Sequence, residues 1–168
     1  ESSLKRLVPT ASAVFQVMQG TKVVINESYR KPIIELVELF SEYMKAWNPE
    51  KEFEYGLFRI PIPEFSKPAF REGLINAFSH RDYSIMGSVR VQINDEGLTI
   101  SNPGGFVEGI TLNNLLTAEP YGRNPLLSDA LKRIGLAERT GRGIDRIFEG
   151  SITFGRPWPD YSESTSQN

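Results

Sequence analysis

Cysteine is absent from the 168 residues, which excludes disulfide frameworks, thiolate metal sites and thiol nucleophiles and fits a reducing compartment. No apolar run approaches the roughly 20 residues needed to cross a bilayer, and no basic-then-apolar leader opens the chain. The sequence therefore predicts a cytoplasmic protein without a membrane partner. An excess of positive charge is lacking too: 19 Lys and Arg stand against 21 Asp and Glu, a formal charge of -2. No overall attraction for nucleic acid is written into these residues, and a DNA-binding role would have to be local or lie in another part of the protein.

What is present suffices for one domain with a real core. The chain opens at Glu1 and enters patterned sequence almost at once, so it reads as a piece of a longer protein. Two short apolar, β-branched runs, Ala13 to Met18 and Thr21 to Ile25, flank Gln19-Gly20 and predict a hairpin. From Pro32 the apolar residues Ile33, Leu36, Val37, Phe40, Tyr43 and Met44 recur at helical spacing until Asn48-Pro49. Glu54 to Ile62 alternates and then meets Pro61 and Pro63, which suits an edge strand. Pro68 opens a second helix with Phe70, Leu74, Ile75, Ala77 and Phe78 toward the core. Val89 to Ile93 and Leu98 to Ile100 are strands joined by Asn94-Asp95-Glu96-Gly97. Helical patterns follow over 112–116 and from Pro125 to Ile134, stopped by Gly135, and another runs from Gly143 through Phe148. A last strand is expected over Ile152 to Phe154, and the Ser-, Asp- and Glu-rich end reads as a linker or frayed tail.

Three short constellations could carry chemistry. Glu72 and Asn76 lie four residues apart on one helix face, where a carboxylate can polarise a water beside an amide oxygen that ligates magnesium. Asn102-Pro103-Gly104-Gly105 follows a strand; backbone without Cβ atoms lets a base or phosphate approach, although a plain tight turn looks the same. Gly141-Arg142-Gly143 opens a helix whose free N–H groups favour an anion, with Arg139 and Arg146 nearby; the plain alternative is a glycine-rich helix start. Arg123-Asn124-Pro125 offers a guanidinium fork for phosphate or, equally, a turn into a helix. His80, the only histidine, is either a general acid or a local helix-end partner. Trp47 and Trp158 fall in apolar patterns that core packing explains.

The order of these features resembles the N, G1 and G2 boxes of the GHKL ATPases. The blocks Phe70–Tyr83, Ile100–Gly105, Gly122–Leu127 and Glu138–Ile144 are together similar to the RecG-related ATP-binding family of transcriptional regulators. That resemblance covers nearly everything after residue 30. It implies an α+β fold, a two-layer α/β sandwich of degenerate Bergerat type, with a mixed sheet from the strands near 54–62, 89–101 and 152–154 covered by helices on one face and an N-terminal hairpin appended. It implies three segments: 1–30 as the end of a preceding module or a hairpin, 31–155 as the ATP-binding domain, and 156–168 as linker or tail.

By the same resemblance Glu72 corresponds to the general base and Asn76 to the magnesium ligand. Gly104 and Gly105 correspond to the adenine-side turn and Gly141 and Gly143 to the phosphate-side turn; Asn102, Arg123, Asn124 and Arg142, beside them in the sequence, are further candidate nucleotide contacts by their own chemistry. The implied cofactors are ATP and Mg2+, and the implied partners are a nucleotide, DNA held through flanking domains, and a second copy of the chain. One departure stands out: GHKL proteins place an Asp before the G1 glycines, where this chain has Ser101 and Asn102. No long glycine-rich lid separates G1 from G2, and no GxxxxGK[ST] loop occurs. These features predict a nucleotide-responsive regulatory domain with slow hydrolysis at most and no helicase activity, or else a scaffold that has lost the nucleotide and serves dimerisation or partner recruitment.

Overall fold

A computed structural model describes residues 11–118, 122–137 and 141–164. Expectations for residues 1–10, for Arg139 and Thr140, and for the last four residues of the tail lie outside the described residues. Within them lie six strands and four helices: β1 (Ala13–Gln19), β2 (Lys22–Tyr29), α1 (Ile33–Trp47), β3 (Glu50–Tyr55), β4 (Phe58–Pro63), α2 (Lys67–His80), β5 (Val89–Asn94), β6 (Gly97–Ser101), α3 (Pro125–Arg133) and α4 (Gly143–Thr153).

A four-stranded sheet of order β2-β1-β5-β6 forms one layer. Its two outer pairs are antiparallel hairpins, and its central pair, β1 with β5, is parallel. The alternation expected of a half-buried strand is met along both central strands: Ala13, Phe15 and Val17 pair in register with Val89, Val91 and Ile93, and all six are buried. The alternate residues Gln16, Arg90 and Gln92 are polar and half-buried. The Asn94 side chain closes the β5–β6 turn by accepting from the N–H groups of Glu96 and Gly97 at 3.0 Å each. The neighbouring Asp95 carboxylate accepts from the Gly20 N–H at 2.8 Å, which ties the two hairpin turns at one end of the sheet.

Helices α1 and α2 supply the second layer. Leu36, Val37, Phe40 and Met44 of α1, with Phe70, Leu74, Ile75, Ala77 and Phe78 of α2, join the buried strand residues in one core. Phe15 meets Phe40 edge-on at 5.4 Å and Tyr43 at 4.9 Å. Each such side chain contributes on the order of 2 kcal/mol by leaving water.

Five expectations change. The hairpin expected as an appendage instead provides half of the main sheet, because β1 is the parallel partner of β5. The run from Glu54 to Ile62 is two strands, β3 and β4, turning at Gly56 (φ +60°) and forming a separate ribbon. Residues 112–116 form turns rather than a helix, held by Asn114, whose carboxamide oxygen accepts from the Thr111 N–H at 2.7 Å. Ile152 and Thr153 close α4 instead of forming a strand. Finally, the described part of the tail folds back: Trp158 and Tyr161 pack on Phe148 with ring centroids 5.8 and 6.2 Å away, and Arg156 pairs with Glu64 at 2.6 Å.

Candidate nucleotide site

Helix α2 is the axis of the site. Ser66 caps it, its hydroxyl accepting from the Ala69 N–H at 3.4 Å, and Pro68 sits in its first turn, where no backbone donor is lost. Glu72 lies one turn on and is buried. The first residue of α4, Gly143, packs so closely on it that an added Cβ would stand 2.1 Å from Glu72 Oε1. The Glu72 carboxylate thus lies against the N-terminal end of α4, and it is a partnered group. Asn76 is half-buried, and its amide makes no hydrogen bond to another described residue.

The next contact along α2 is with β6. Gly73 packs against Ile100, where a Cβ would stand 3.1 Å from the isoleucine side chain, and Ile100 leads directly into the Asn102-Pro103-Gly104-Gly105 turn. Gly104 takes φ +99°, a conformation other residues rarely adopt, and lies against Asp82. The turn is tied to the end of α2 by the Asp82 N–H, which donates to the Pro103 carbonyl at 2.8 Å. The Asn102 amide donates to the carbonyls of Pro103 and Gly104 at 3.2 and 3.3 Å, so it is used within the turn.

Arg123 donates to Asp82 Oδ2 and to the Gly105 carbonyl, both at 3.1 Å. Asn124 donates to the carbonyls of Ser79 and Arg81 at 2.9 and 2.7 Å and so satisfies the open end of α2. Both residues clamp the site's frame in this structure. The Asp82 carboxyl is held below the usual carboxylate range, chiefly by the hydroxyl and N–H of Ser84, with Arg123 and Arg81 adding to the effect. His80 is lowered by burial and by Arg123. Its neighbour Arg81 is almost wholly enclosed and donates to the carbonyls of Ser12 and Gly87 at 3.1 and 2.8 Å, fastening the start of β1 to the segment before β5.

Gly141 has φ +75°, Arg142 is exposed at the N-cap of α4, and Gly143 begins the helix. The structure therefore gathers the three motifs along α2: Gly143 at Glu72, Ile100 at Gly73, and the glycine turn at Asp82. Sequence reasoning passed over Asp82 and Arg81, which stand in the same block as His80; their position just past the end of the helix was the available signal. A shallow, open hollow of about 530 Å³ borders Phe106, Ile110, Leu112 and Ser164, away from Glu72. Among the described residues no group of three or more His, Asp or Glu is placed to hold a metal by itself. Magnesium needs no such cage when phosphates and waters complete its shell. The residues present fit that arrangement: Asn76 offers an uncommitted amide one turn from Glu72, and the Gly143 cradle is one that a Cβ would fill.

A two-layer α+β sandwich with these motifs converging on one helix is consistent with a GHKL-like fold. Residues 87–167 match the model of the family described as "Putative ATP-dependent DNA helicase recG C-terminal". Among solved structures, the DIP2311 protein of Corynebacterium diphtheriae superposes with a TM-score of 0.81 at 26% identity, over 94% of this chain and 33% of that one. The chain thus spans about a third of the length of that protein. No curated protein matches it.

Proposed function

We propose that this chain is a nucleotide-binding regulatory domain that takes ATP with magnesium and hydrolyses it slowly or not at all. The observation that supports the reading is the convergence of Glu72, Gly143 and the Gly104 turn on α2. Asn76 would ligate the ion, the N–H groups around Gly141 and Gly143 would receive phosphate oxygens, and Gly104 and Gly105 would lie beside the base. A bound magnesium ion supplies neutralising charge to the phosphates. Glu72, buried beside the helix start, would accept a proton from an attacking water. Its enclosure by Gly143 leaves little room for that water, which is why turnover is expected to be slow. In the whole protein, nucleotide binding would alter the orientation of DNA-binding modules outside this chain, as in a transcriptional regulator.

Titration of the chain with magnesium and ATP, followed by calorimetry, tests the reading. Saturable binding should weaken about tenfold or more in Asn76→Ala, the loss of roughly 1.4 kcal/mol. A second reading, a scaffold that has given up the nucleotide, is favoured by two observations: the Glu72 carboxylate itself occupies the start of α4, and the Asn102 amide is consumed within its turn. Absence of heat and of any thermal shift at millimolar ATP would establish that second reading.

A further inference from the structure

The ribbon formed by β3 and β4 projects from the fold with one bare apolar face. Its register pairs Tyr55 with Phe58, Phe53 with Ile60 and Lys51 with Ile62 on one face, and Glu54 with Arg59 and Glu52 with Pro61 on the other. The charged face is self-satisfied: Arg59 lies 3.6 Å from Glu52 and 3.7 Å from Glu54. The apolar face touches nothing comparable: Phe53 is 56% exposed, Tyr55 70%, Phe58 72% and Leu57, at the tip, 100%. Ile60 and Ile62 extend the patch toward the base, where the Glu64 N–H donates to the Pro49 carbonyl at 2.8 Å. A lone two-stranded ribbon is marginal in water and gains stability only when its apolar face is covered.

Geometry restricts what can cover it. A two-residue turn makes Tyr55 and Phe58 a hydrogen-bonded pair, so Pro61 and Pro63 fall at positions whose backbone faces outward, and the missing N–H groups blunt that edge. The other edge carries Glu50, Glu52 and Glu54, which repel a like strand added there. Strand addition is therefore disfavoured at both edges, while the face remains open. From these exposures the patch is on the order of 700 Å², backbone included, close to the roughly 800 Å² each partner contributes to a stable interface and just above the roughly 300–600 Å² of the largest patch on a typical monomer. It carries no charge except Lys51 at its base, so a face of the same composition suits it as well as any other.

We infer that two copies of this chain pair face to face through their β3–β4 ribbons, with Phe53, Tyr55, Leu57 and Phe58 of each copy packed on those of the other and the charged faces turned to solvent. The interface is isologous, so it closes at a dimer. It is independent of the nucleotide reading, since none of its residues belongs to the site along α2.

Light scattering on the eluting 168-residue chain tests this at roughly 100 µM, where a dimer of micromolar affinity is populated. The expected mass is twice 18.9 kDa, falling to the monomer mass in Phe58→Glu and in Phe53→Lys, while Leu126→Glu, an exposed change on α3, remains dimeric. Circular dichroism of each variant reports whether the fold is intact. The chain has no cysteine, so Leu57→Cys introduces a single thiol at the tip, which should cross-link two copies under mild oxidation and do so less in the Phe53→Lys background. A monomer for the unaltered chain at this concentration would overturn the inference, and so would a dimer that survives Phe58→Glu.

Discussion

At the scale of single residues, the closest approach in the site is the contact between Gly143 and the Glu72 carboxylate, and it yields a sharp test. Gly143→Ala places a methyl group 2.1 Å from Glu72 Oε1, a clash relieved only by moving a buried carboxylate or the start of α4. Overpacking of this kind costs about 1–3 kcal/mol. Glu72→Ala removes the obstruction, so the double variant should recover part of the loss, and urea melts of the four proteins would show a coupling of the same sign. If Gly143→Ala melts with the parent, the two groups are not in contact in solution. His80 gives a second test. Burial and Arg123 lower its folded pKa, whereas the unfolded chain titrates near the model value of about 6.5. Above that pH both states are neutral and the full stability is present; as pH falls through 6.5 the unfolded chain takes up the proton first, and stability drops until the folded pKa is passed. The urea midpoint should therefore fall further between neutral and mildly acidic pH in the parent than in His80→Gln, and equal falls would contradict the burial of the imidazole.

At the scale of elements, α4 docks on α2 through two glycines seven residues apart. Gly143 meets Glu72, and Gly150 lies so close to Ala69 and Ser66 that a Cβ would stand 2.7 Å from one and 2.8 Å from the other. Gly150→Val should thus cost about 1–3 kcal/mol, more than its intrinsic helix preference would suggest, and a melting temperature at or above that of the parent would rule out the close crossing. This glycine also shows what was legible and what was not. Read along the chain, the helix ends at Phe148 and Ile152 to Phe154 is a strand, because a glycine that punctuates and a glycine that admits a neighbouring backbone look identical without the neighbour. The same limit hid the place of the first hairpin: the alternation of Ala13, Phe15 and Val17 says that β1 has a buried face, but nothing local says that its partner is β5, 76 residues away. Elements with strong local period were legible, and α1, α2, α3 and the β5–β6 hairpin fall where their apolar spacing and turn residues put them. In the site, the boxes were readable as motifs; the work done by Arg123, Asn124 and Asp82 in joining them was not, since it consists of bonds to backbone carbonyls far along the chain.

At the scale of the whole molecule, two tyrosines tie elements together. Tyr29 at the end of β2 bonds the hydroxyl of Tyr43 on α1, and burial with that bond pushes its pKa up to about 12. Tyr161 in the tail stacks on Phe148 of α4, and burial there likewise raises it to about 12. One closes the sheet against the first helix, and the other returns the tail to the last helix. Both folded pKa values stand above the unfolded value near 10, so the stability they reflect is fully present below about pH 10 and is lost as pH rises toward 12. In an absorbance titration these two should ionise well above the unfolded value near 10, at the onset of alkaline unfolding rather than before it. Tyr161→Phe tests the tail by itself: it keeps the ring contact and removes the titrating group, so alkaline unfolding should shift upward in pH with little change at neutrality. If Tyr161 instead ionises with the exposed tyrosines, the tail is not held against α4.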